Sequence, residues 1–202
     1  VAVTSSGDKA GGLVADNAGT IKNVSASGPV DGDTFVGGLV GGVDGGVTGG
    51  SGTVKDAYAT GTVNGSSIVG GLIGVTVDNA TVKDAFANGS VDGSSGEAFR
   101  TGGLIGDHRF NSIVQDAYAT GNVTGGSRVG GLIGEVEAEV SDSYATGDVT
   151  GQSAVGGLAG INKKAVANTY ATGSVTSEDD AGGLVGNNEG VIADSYATGS
   201  VN

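Results

Sequence analysis

One recurring phrase sets the possible folds of this chain, and it contains every tyrosine. Tyr58, Tyr118, Tyr144, Tyr170 and Tyr196 each stand inside a version of Asp-Ala-Tyr-Ala-Thr-Gly. Phe86 takes the slot in a further copy, and Ser25 takes it in a degenerate one, Asn23-Val24-Ser25-Ala26-Ser27-Gly28. A second phrase, Gly-Gly-Leu-Val/Ile-Gly, alternates with the first and begins at Gly11, Gly37, Gly70, Gly102, Gly130, Gly156 and Gly182. From Tyr118 onward each copy follows the last at a step of 26 residues. A fixed period of this size is the mark of a solenoid or array, in which each unit buries its apolar face only against its neighbours.

The departures from that period are confined to the stretches between phrases. Insertions relative to the base unit lie within 42–53, 75–83, 94–101 and 107–115. Stacked coils predict this, because the phrases build the core and extra residues bulge out as loops. Residues 1–202 therefore read as one repeat domain of about seven coils. The chain has no initiating Met and no hydrophobic leader, which reads as a processed or excised piece.

Composition narrows the secondary structure. Gly accounts for 43 of 202 residues and Pro for 1. The glycines keep register with Leu, Val and Ile, so they point to tight turns and close backbone stacking, not to disorder. Gly, Thr, Val, Ser, Asn and Asp disfavour helix, whereas Val, Ile, Thr and Tyr suit short strands. The fold expected is all-β, a parallel β-solenoid (β-helix) with two or three short strands per coil and short insertion loops.

Side-chain alternation assigns the faces. In 56–63, Ala57, Ala59 and Val63 point inward, leaving Asp56, Tyr58 and Thr60 outward. Val54 shares the outward parity yet reads as core, so a bend is required near Lys55-Asp56. The converse assignment, with the rings inside, is the alternative. Leu13, Leu39, Leu72, Leu104, Leu132, Leu158 and Leu184 form an expected internal column.

The two phrases together, as in Gly37-Gly38-Leu39-Val40-Gly41 and Asp142-Ser143-Tyr144-Ala145-Thr146-Gly147, resemble the GLUG-motif repeats of bacterial and archaeal surface proteins. The resemblance covers all seven copies. It implies a non-catalytic stalk or binding surface, since such repeats occur in large exported adhesin-like proteins and beside the catalytic parts of some immunoglobulin A peptidases. The family often carries Cys between the Asp/Asn and the Tyr. Here that slot holds Val24, Ala57, Ala85, Ala117, Ser143, Thr169 and Ser195, and no catalytic residue carries over.

Three outward columns are candidate contact features. The aromatic one is Tyr58, Phe86, Tyr118, Tyr144, Tyr170 and Tyr196, able to stack on glycans, to pack against another rod, or simply to shield the coil. Beside it run Thr60, Asn88, Thr120, Thr146, Thr172 and Thr198. The third is Asp56, Asp84, Asp116, Asp142 and Asp194, whose carboxylates favour solvation, turn capping or a cation; Ca²⁺ is the cation such a column would take, although its usual Gly-Gly-x-Gly-x-Asp repeat is absent. Glu135, Glu137 and Glu139 read as the solvated face of a strand, and His108, the one histidine, as a loop residue. Five Asn-x-Ser/Thr triplets, at Asn23, Asn64, Asn79, Asn88 and Asn122, are expected by chance in a chain so rich in these residues.

The remaining classes are limited by charge and by absent residues. A net charge of −13 opposes nucleic-acid binding, which needs clustered Lys and Arg. No apolar run approaches the roughly 18 residues of a membrane span. With no Cys and a single His, a Cys–His nucleophile pair and a multi-His metal site are excluded within the chain. The expectation is a non-enzymatic, extracellular structural or adhesive segment, without cofactor, whose partner is itself or a surface glycan or protein. The alternatives are a filament subunit assembling head to tail through its end coils, and a glycan-binding or glycan-active β-helix.

Overall fold

A computed structural model of the chain describes residues 2–43, 52–95 and 99–202. Among the described residues the backbone winds into seven coils whose strands pair only in parallel and only with the coils before and after. Each coil contributes to four sheets, where two or three were expected. In the fifth coil, sheet A takes Val123–Gly125, sheet B Ser127–Gly130, sheet C Ile133–Val136, and sheet D Glu139–Ser141 with Tyr144–Ala145. Among the described residues there is no helix.

The additional sheet comes from the glycine phrase. Sheets B and C are separate strands joined by a Gly-Gly-Leu turn. A β-carbon on Gly70 would overlap the Ile73 carbonyl oxygen, so only Gly permits that turn. A β-carbon on Gly74 would collide with the Gly41 carbonyl and the Val36 amide of the preceding coil. Sheets B and C thus back onto each other through bare backbone, and this contact divides the interior in two. The larger core lies between sheets C and D and holds Leu39, Leu72, Leu104, Leu132 and Leu158 with Val82, Ala117 and their counterparts. The smaller lies between sheets A and B and is almost all valine, including Val36, Val63, Val69, Val123 and Val155. Leu13 is half exposed because its coil ends the stack.

The bend that Val54 required is a left-handed residue at the aspartate slot. Asn23, Asp56, Asp84, Asp116, Asp142, Asn168 and Asp194 all have φ between 48° and 56°. Asp and Asn tolerate this region far better than other residues with a β-carbon. The kink reverses the alternation, so Val54 and Ala57 both face the core while Tyr58 faces out.

The slot after the aspartate decides whether sheet D runs unbroken. With Ala there, the strand is continuous over Thr53–Ala59, Thr81–Ala87 and Ile113–Ala119. With Ser or Thr, in the last three coils, it splits in two. The Ser143 hydroxyl accepts the Ala117 N–H at 3.2 Å and donates to the Ser141 carbonyl at 2.6 Å, and Ser195 does the same for Thr169 and Ala193. A side chain replaces one rung of the backbone ladder without leaving a group unpaired.

The expected insertions in 42–53 and 94–101 lie partly outside the described residues. The other two are visible as sheet C-to-D corners two residues longer than those of later coils. Asp78-Asn79 turns one and Phe110-Asn111 the other, all four residues at positive φ.

Candidate functional site

The aromatic column lies on the outer face of sheet D. Parallel in-register pairing places each ring over the next: Tyr58 on Phe86, Phe86 on Tyr118, Tyr118 on Tyr144 and Tyr144 on Tyr170, with centroids 4.8, 4.8, 4.9 and 4.8 Å apart and planes within 4°. Tyr170 and Tyr196 follow at 5.3 Å. The rings are exposed at the ends, 39% for Tyr58 and 56% for Tyr196, and half-buried between. Burial between Tyr170 and Tyr118 pushes the Tyr144 phenol above its usual pKa, so that phenol is neutral at physiological pH. Thr60, Asn88, Thr120, Thr146, Thr172 and Thr198 are all exposed beside it, and the Thr120 hydroxyl donates to Asn88 Oδ1 at 3.1 Å.

The aspartate column is answered by lysines, each one coil earlier. Lys22–Asp56, Lys55–Asp84 and Lys83–Asp116 lie 3.9, 3.6 and 3.3 Å apart, all partly exposed. Exposed pairs of this kind contribute little to stability. Asn168 Nδ2 donates to Asp142 Oδ1 at 3.2 Å. The slot serves the backbone kink first, and a lysine stands opposite its charge in those coils. Among the described residues no three His, Asp or Glu side chains converge as a cation site.

The strongest electrostatics lie elsewhere, at the seam where the outer faces of sheets B and C meet. Two readings from sequence are corrected here. Glu135 is not a solvated residue: its side chain is fully buried. It meets Lys163 Nζ at 2.5 Å and Arg128 Nη1 at 3.1 Å, with Arg100 Nε also on Oε2. Asp107, equally buried, meets Arg100 Nε at 3.1 Å and Arg109 Nε at 2.6 Å. Burial pushes the Asp107 carboxyl above its usual pKa against the pull of Arg109 and Arg100. Burial pushes on Glu135 too, but the Lys163 and Arg100 hydrogen bonds outweigh it and hold the carboxyl below its usual value. In turn Glu135 and Glu137 raise the Lys163 ammonium.

Nor is His108 a loop residue. It ends the strand Ile105–His108 with no exposed surface. It occupies an inward corner column with Asn17, Val43, Thr76, Val136, Asn162 and Asn188. The Thr76 hydroxyl donates to Nδ1 at 2.7 Å, and Nε2–H donates to the Glu139 carbonyl at 3.2 Å. Burial holds its pKa down to about 4, so it stays neutral. With both nitrogens engaged it has none left to serve as a base.

Sequence reasoning missed the seam, although a signal was present. Its residues sit in paired slots, and their character changes together. Lys9 faces Asp16 at 2.8 Å, and the Arg100–Asp107 and Arg128–Glu135 pairs repeat the spacing, whereas Ile68 with Val75 and Ala154 with Ile161 are apolar and buried at the same places.

Comparison with curated proteins and with solved structures gave no match. The family model of the GLUG motif matches residues 125–150 and 180–202. The first segment covers one coil's length, with Leu132 in the core and Tyr144 in the outer column, and the second holds their counterparts Leu184 and Tyr196. Two coils of this parallel β-solenoid, with both phrases stacked in register, thus match the GLUG motif.

Proposed function

We propose that the chain is a non-enzymatic, extracellular structural and adhesive segment whose tyrosine face makes the contact. The observation that carries this reading is the unbroken column of six rings, open to solvent along one side of the rod. Aromatic rings with polar tips provide contact area at low entropic cost, and the flanking hydroxyls supply hydrogen bonds. A repeated weak contact on a stiff rod gains by avidity, which suits a surface glycan or protein or a second copy of the chain.

Adhesion of the purified chain to a glycan array and to immobilised copies of itself tests this, wild type against Tyr144→Ser/Tyr170→Ser. Ser is the replacement because Ser25 occupies the same slot in the first coil. Loss of adhesion supports the face as the contact, and unchanged adhesion removes it from that role.

The filament reading rests on the exposed apolar side chains of the end coils, Leu13 at one end and Val191 and Val201 at the other. A second copy, or further coils of one chain, would cover them equally. Concentration-dependent fibres support assembly through these ends, and a monomeric rod at high concentration opposes it.

A further inference from the structure

The sheet C-to-D corners hold one break in the repeat that neither the rod nor its tyrosine face needs. The corners of the third and fourth coils are two residues longer than those of the fifth and sixth. They are stacked, with the Asn79 N–H donating to the Phe110 carbonyl at 3.2 Å. The fourth corner therefore overhangs the shorter ones beside it. Under the overhang lies a groove of about 370 Å³ lined by Phe110, Asn111, Ile113, Glu137, Glu139 and Lys164.

The two long corners form the same left-handed turn from different residues. Asp78 and Asn79 have φ of 50° and 64°, in a region both residue types accept. Phe110 has φ 40° at the place of Asp78. A bulky residue there is strained, and its ring recovers little by burial, since it is 57% exposed. Backbone strain of this kind, at the lip of a groove, is a lead to function.

We propose that this groove binds one or two neutral sugar rings of a glycan. The Phe110 ring and the half-exposed Ile113 offer an apolar platform for the C–H face of a pyranose. Glu137 and Glu139 accept hydroxyl hydrogen bonds, and the Asn111 amide and Lys164 ammonium donate them. The carboxylates, on a chain of net charge −13, discriminate against acidic sugars. The volume lies near the lower end of the roughly 300–1,000 Å³ usual for small-ligand sites. The floor is firm, because buried His108 holds the Glu139 carbonyl from behind and Lys163 ties down Glu137 at 2.9 Å. This site stands independently of the tyrosine face.

The test is a titration followed by amide NMR, with methyl glucoside, methyl mannoside and cellobiose as neutral probes and glucuronate as the acidic control. The expected result is shift changes at 110–113 and 137–139 with a neutral probe. Phe110→Asn weakens binding about tenfold, the value of one good ring contact. That variant keeps the rest of the spectrum and melts above wild type, because Asn relieves the left-handed strain. Tyr144→Ser/Tyr170→Ser leaves the binding unchanged, so a failure of the tyrosine face cannot be mistaken for a failure of this groove. No shift with any neutral probe, equal binding by Phe110→Asn, or preference for glucuronate overturns the proposal.

Discussion

The tyrosine face and the edge spanning Arg100 to Glu139 belong to the same coils and are built in opposite ways. On the face the second to seventh coils repeat one another: one kinked Asp or Asn, one outward ring, one outward Thr or Asn. Along the edge each coil differs. Buried acids, a buried histidine, a lengthened corner and a strained phenylalanine each occur at slots that hold other residues elsewhere. Stacking explains the contrast. A side chain that must sit on a copy of itself 4.8 Å away has to be small, apolar, aromatic or amide-like, so like charges are tolerated only where opposite charges interleave. Repetition therefore builds the rod and its broad face, and chemistry specific to one place collects where the repeat breaks.

Leu132 and Glu135, close together in one coil, separate these two kinds of residue. Leu132→Ala removes a fully buried repeated side chain and costs about 2–5 kcal/mol, read from chemical denaturation at neutral pH. Equal stability of that variant would break the claim that the leucine column forms the core.

The next effect belongs to His108 alone. Its folded pKa, about 4, lies below the usual 6.5, so its contribution is present above pH 6.5 and is lost as pH falls toward 4. The unfolded chain takes a proton in that window and the folded chain does not. The loss approaches about 3 kcal/mol by pH 4. His108→Gln removes this part of the pH dependence, and an identical profile in that variant would show that the histidine titrates normally.

Glu135→Gln follows. It leaves Arg100, Arg128 and Lys163 without their shared carboxylate. Those cations are 22–36% exposed and can hydrate, so the cost is about 1.5–3 kcal/mol, the range for a hydrogen bond to a charged group. The repeated carboxylate Asp142 gives the opposite pattern. Asp142→Asn is nearly neutral, because Asn23 and Asn168 fill the same slot. Asp142→Ala costs about 1–2 kcal/mol for the left-handed backbone. If Asn cost as much as Ala at 142, charge and not conformation would be what the slot requires.

Most of what repeats was legible in the sequence. The 26-residue register located the coils, the leucine column and the outer face, and the parity conflict at Val54 pointed to the kink at Asp56. What escaped was the relation between slots of different sheets. Nothing in the alternation of Glu135, Val136 and Glu137 says that the first of these meets Arg100 and Arg128 from the neighbouring sheet. The fourth sheet escaped because Gly-Gly-Leu reads as a simple turn, whereas its glycines bring two sheets into backbone contact. His108 was placed in a loop because the insertion was located only within 107–115, and the structure puts the added residues after it, at the Phe110-Asn111 corner.

The contrast between face and edge is tested most directly by measuring surface adhesion and soluble neutral-sugar binding on the same three proteins. These are wild type, Tyr144→Ser/Tyr170→Ser, and Phe110→Asn. A division of labour predicts that the tyrosine variant loses adhesion and keeps sugar binding, and that Phe110→Asn does the reverse. If one variant abolishes both properties while the other changes neither, face and edge are not separate sites and the account is contradicted.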